Sequence, residues 1–134
     1  MIEQGFCLFT DLFEATNPGP HFINPRCFGE DFALWLRERL EAKDIVATEP
    51  IQEDWGWVLL APFRDRKFTL SIGIMDESIG CTPAEWRIGV SYEKPLNGIR
   101  AWFRPVPVSD LNDLAAILEG VLKSEDRIKQ LTRD

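Results

Sequence analysis

Two carboxylates run straight into two tryptophans at Glu53-Asp54-Trp55-Gly56-Trp57, the densest meeting of charge and aromatic surface in the chain. With Glu49 close upstream, these acids could serve as paired carboxylates. General acid–base chemistry needs one carboxyl in a desolvated setting, and neighbouring indoles supply one. The plainer arrangement is a turn between two strands, with Trp55 and Trp57 opening the second strand and facing the core. Aromatic residues at strand spacing are core residues more often than they line a ligand site. The plainer arrangement is the expectation, and no catalytic residue is assigned.

A second constellation is Arg100, Trp102 and Arg104, with Arg87 on the preceding strand. On a period-two count these four point away from Ile99, Ala101 and Phe103, forming a basic-aromatic outer surface. Trp and Arg dominate binding hot spots, and guanidinium stacking on an indole suits them to one. His21 is the only histidine. It has no partner at ligand spacing, so neither a metal site nor a base–nucleophile pair is expected. No glycine run matches a phosphate-binding loop, and no cofactor is implied.

The elements that would position these residues read as α+β. Gly5–Thr10 alternates as a first strand, and Asn17-Pro18-Gly19-Pro20 forces a loop. Gly29–Lys43 is a helix with Phe32, Trp35, Leu36 and Leu40 on one stripe. Short runs at 45–48 and 55–63 follow, with Pro62 closing the second. Phe68, Leu70, Ile72 and Ile74 then alternate cleanly, as do Trp86, Ile88, Val90 and Tyr92. Asn97-Gly98 marks a hairpin that returns Ile99–Arg104 against Glu85–Glu93. Ser109 caps a last long helix, and Ser124 a shorter one carrying Ile128 and Leu131. Short turns between strands predict a largely antiparallel sheet of five or six strands. Two main helices cover one face of it, in a single domain spanning 1–134.

The totals exclude several roles. A net charge of −7 opposes nucleic-acid binding, which needs clustered cations. No apolar run has the length to cross a membrane. Residues 29–54 hold eight acids against three bases, a field that attracts a basic partner. The start of the chain lacks a basic region followed by an apolar stretch. Together with three cysteines, an odd number without a CxxC pair, this places the protein in the reducing cytoplasm.

The segments Gly29-Glu30-Asp31-Phe32-Ala33-Leu34-Trp35-Leu36, Pro50-Ile51-Gln52-Glu53-Asp54-Trp55-Gly56-Trp57 and Glu85-Trp86-Arg87-Ile88 resemble a group of small bacterial α+β proteins with an acidic-Trp-Gly-Trp strand. The resemblance implies a bacterial origin and one compact domain, and it carries no activity across. The expected role is a non-enzymatic protein-binding module, immunity-like or effector-chaperone-like, whose partner is basic. The competing readings are a ligand-binding protein or enzyme with a pocket near Glu53, Asp54, Trp55 and Trp57, and an assembly subunit or homodimer pairing through the Trp102 face. If the cysteines are free, thiol titration of denatured, unreduced protein finds all three; recovering one would overturn the cytoplasmic placement as well.

Overall fold

The computed structural model describes residues 2–93 and 105–134. Six strands form one sheet in the order β2-β3-β4-β5-β1-β6, every neighbouring pair antiparallel. They are β1 (Ile2–Thr10), β2 (Ile51–Glu53), β3 (Gly56–Phe63), β4 (Arg66–Ile74), β5 (Ala84–Tyr92) and β6 (Ile128–Arg133). Helices α1 (Glu30–Glu41) and α2 (Val108–Lys123) lie together on one face. None of the described helices is long and apolar enough to cross a membrane.

Alternation decides which face is covered. Phe68, Leu70 and Ile72 of β4, and Trp86, Ile88 and Val90 of β5, are fully buried. They meet Phe32, Leu36 and Leu40 of α1 and Leu114, Leu118 and Leu122 of α2 in one core. Ile74 and Trp35, expected in that set, are only partly buried at its margin. The opposite face is built from Gly5, Cys7, Ser71, Gly73, Arg87 and Gly89, and among the described residues no helix covers it.

α1 begins after Gly29, whose φ of 132° is open to glycine but strained for other residues. It ends where Asp44 turns left-handed at φ 62° and the Ile45 N–H reaches back to the Leu40 carbonyl at 3.0 Å. That is a Schellman-type closure with Asp in the usual glycine position. It drops Ile45 into the core.

Several sequence expectations give way here. Residues 45–48 alternate in burial but form no strand. Thr48 makes one backbone bond to Leu60, and its hydroxyl, not its carbonyl, accepts the Leu60 N–H. The ladder against β3 begins only at Ile51. β3 runs through Pro62 to Phe63. Leu60 turns its N–H toward the β2 side, so Pro62, two residues on, faces the same unpaired edge and breaks no bond to β4. α2 starts at Val108 after Pro107 without a side-chain cap, so Ser109 does not cap it.

The short helix expected after Ser124 is strand β6. The spacing of three between Ile128 and Leu131 is not helical. One extra residue in β6, with Gln130 at φ 53°, makes a bulge against Cys7–Phe9, and the bulge returns Leu131 to the core side. The expected strand Ile99–Arg104 and hairpin Asn97-Gly98 lie outside the described residues. β5, against which they were to pair, is bonded on both edges, to β4 and to β1.

Leu70→Ala, at the centre of the buried face, is expected to cost about 2–5 kcal/mol in chemical denaturation. Leu34→Ala, on the exposed side of α1, is expected to stay within about 0.5 kcal/mol. Equal losses would invert the face assignment.

Candidate functional site

The acidic-aromatic motif is split by its own hairpin. Glu53 pairs with Gly56, so Asp54 and Trp55 form the two-residue loop between β2 and β3. Gly56 is required there, because a Cβ would collide with the Ile72 carbonyl oxygen. The strand's alternation starts after the loop. Trp57 is buried at 2% exposure, whereas Trp55 is 55% exposed. The expectation that both face the core holds for Trp57 and fails for Trp55. Of the four residues about which a pocket was expected, Asp54 and Trp55 line a cleft, whereas Glu53 and Trp57 do not.

The segment between β1 and α1 has no strand or helix of its own, yet it is bound tightly to this hairpin. The buried Trp57 indole N–H donates to the Cys27 carbonyl at 2.7 Å. The Cys27 thiol and the Asn24 amide both donate to the Asp54 carbonyl, at 2.8 and 3.1 Å. The Gln52 amide donates to the His21 carbonyl at 3.0 Å and its oxygen accepts the Ile23 N–H at 2.7 Å. Burial pushes the Cys27 thiol above its ordinary pKa, with Asp54 and Asp76 adding to the effect. Cys27 is therefore a protonated hydrogen-bond donor, not a nucleophile.

This clamp leaves an open cleft of about 530 Å³ beside Trp55. Asp54, Asp76 and Glu77 are the acids among its lining residues, set against Arg26 as the one base, with Met75 and Ile74 also lining it. Trp55 forms one lip. The short helical turn Asp76–Ser78 places its two acids after β4. Among the described residues, no group of three or more His, Cys, Asp or Glu side chains is arranged to hold a metal ion.

The remaining candidates scatter. Glu49 is exposed and pairs with Arg37 at 3.3 Å. Glu53 is exposed on β2 and does not line the cleft. Arg87 stands on the uncovered sheet face, paired with Asp134. Arg100, Trp102 and Arg104 lie outside the described residues. His21 bonds both oxygens of Glu30 at 2.8 Å beside α1. Asp31 nearby accepts the Glu14 N–H, and burial raises its pKa. Asn24, Arg26, Met75, Asp76 and Glu77 escape the sequence reading, since each lies at the end of a strand or in an irregular segment with no periodic signal.

Compared with known proteins, the chain matches no family model, no curated protein and no solved structure.

Trp57→Phe removes the indole donor and leaves the Cys27 carbonyl buried without it, at an expected cost of about 1–3 kcal/mol. Alkylation followed by peptide mass spectrometry gives the local readout. Cys27 is expected to react slowly in the wild type and faster in Trp57→Phe, while exposed Cys81 reacts equally in both. An unchanged Cys27 rate would show that the indole bond does not hold the clamp.

Proposed function

We propose that the protein is a non-enzymatic binding module that grips a basic side chain of a protein partner in the cleft beside Trp55. The observation that carries this reading is the exposed Trp55 at a cleft whose lining includes three acidic residues, Asp54, Asp76 and Glu77. A lysine or arginine head group finds opposite charge there, and the indole face attracts cations when water is partly excluded. Met75 and Ile74 offer surface for the aliphatic stem of such a side chain. The eight acids of residues 29–54, of which Asp54 lines the cleft, add to the chain's negative field and favour fast encounter with a basic surface.

A small cationic ligand is the second reading, because the cleft's volume falls within the range of small-molecule sites. Its openness favours the protein partner, since a free small molecule would remain largely wet. An immunity-like or effector-chaperone-like role in the cytoplasm, for a partner that is itself basic, fits the same chemistry.

The test uses a capped pentapeptide with one central lysine and its norleucine counterpart. Amide shifts of labelled protein are followed by nuclear magnetic resonance. The lysine peptide is expected to bind in roughly the millimolar range, shifting residues 54–55 and 75–77. Added salt should weaken it. Trp55→Ala, and separately Asp76→Asn with Glu77→Gln, should each weaken it about tenfold. Equal binding of the norleucine peptide, or an undiminished affinity in Trp55→Ala, would overturn the reading.

A further inference from the structure

On the uncovered face of the sheet, two rows cross β1, β5 and β4 in register: Gly5–Gly89–Ser71 and Cys7–Arg87–Gly73. Arg87 is the one charged side chain in these rows, and the floor around it is nearly bare backbone. A Cβ on Gly5 would lie 2.9 Å from the Arg87 guanidinium and 3.0 Å from the Asp134 carboxylate. The ion pair of these two groups therefore lies directly over the glycine. Both side chains are about half exposed, at 51% and 45%. Ion pairs so exposed to water hold weakly and exchange readily.

Arg87 also borders a depression of about 260 Å³ with Ser71, Gly73, Met75 and Trp55. Trp55, Ile74 and Met75 line both this depression and the acidic cleft. The two thus adjoin at these residues, one lined by three acids and the other by Arg87.

We infer that the partner segment is bipolar: an extended chain lying across Trp55 with its basic side chain in the acidic cleft and an Asp or Glu carboxylate on Arg87, from which it displaces Asp134. The inference rests on the proposed reading of the cleft as a cation site and adds the second charge that the partner must carry. Charge complementarity supports it at both depressions. A guanidinium presents paired donors matched to a carboxylate, and the Asp134 carboxylate already makes this contact. Gly73, which lines the depression without a side chain, lets a second backbone approach the sheet closely there. In an extended chain, side chains two residues apart share a face at a separation of about 7 Å, the spacing the test peptides use for the two adjoining depressions.

The test compares three capped peptides against full-length protein: one with lysine alone, one with lysine and glutamate two residues apart, and one with glutamine in place of that glutamate. The lysine–glutamate peptide is expected to bind several-fold more tightly than its glutamine counterpart and to shift residue 87. Arg87→Gln should abolish that preference and leave the lysine-only peptide unaffected. Asp134→Asn should tighten the lysine–glutamate peptide by about two- to five-fold, as removal of a weak internal competitor does. Both variants are at exposed positions, and matching thermal transitions establish that they fold. If glutamate confers no preference on the wild type, or the preference survives Arg87→Gln, the bipolar inference fails, while the cleft reading stands provided Trp55→Ala still loses the lysine peptide. If no peptide binds the wild type, both fail.

Discussion

The buried bond from the Trp57 indole to the Cys27 carbonyl is the constraint around which the candidate site is organised. Residues 11–29 form no strand or helix among themselves, and a segment of that length usually stays mobile unless something anchors it. The anchor is an indole that belongs to the core by its ring and to the loop by its N–H. Satisfying a buried donor is nearly obligatory. The core therefore dictates where Cys27 sits, and Cys27 in turn fixes the Asp54 carbonyl. Asp54 and Trp55 are left with little choice but to face outward. The cleft is a by-product of the way a tryptophan satisfies its hydrogen bond.

Aromatic packing continues this logic behind the site. Phe22 meets Trp57 edge-on at 5.3 Å, and Phe13 stacks on Phe32 at 4.1 Å. The irregular segment thus contributes rings to the same core that the helices build, alongside Phe28. Aromatic pairs of this kind contribute about 0.5–1.5 kcal/mol beyond burial. The loop is held by apolar contact at several points and by directional bonds at its far end. Trp86 at the centre of this cluster leaves its indole N–H without a hydrogen-bond partner among the described residues. Its ring lies edge-on to Phe32 and Phe13.

Most of the scaffold was legible because strong periodicity has one physical meaning. Phe68-Leu70-Ile72 and Trp86-Ile88-Val90 alternate over enough residues that only a half-covered sheet accommodates them. Where the signal was two residues long, it misled. Ile128 and Leu131 sit three apart because a bulge adds a residue, and no local rule separates that from a helical turn. Trp55 was misread for a related reason: alternation was extended one residue past the point where Glu53 and Gly56 close the hairpin. The cleft itself was illegible. Asn24, Cys27 and Asp54 are brought together by hydrogen bonds across long sequence separations, and such bonds leave no pattern in composition or spacing.

The strand order has a consequence for how the chain reaches this structure. β2 to β5 form a meander whose neighbours are close in sequence, and its hairpins can close locally. β1 is different. Its Ile2 lies opposite Tyr92, and its other edge receives β6. β1 must therefore remain unpaired in the sheet until β5 follows it, with Thr10 opposite Ala84 and Ile2 opposite Tyr92, since its place lies between two later strands. Long-range pairing of this kind is slow because loop entropy is lost before contacts compensate. During that interval Phe6 and Leu8, buried in the finished protein, are exposed on a strand with two open edges, which is the form most prone to pair with another chain. Nascent protein held at low concentration should therefore fold more cleanly than protein refolded in bulk. The vulnerable part is β1, whose place in the sheet is set by strands that come later in the chain.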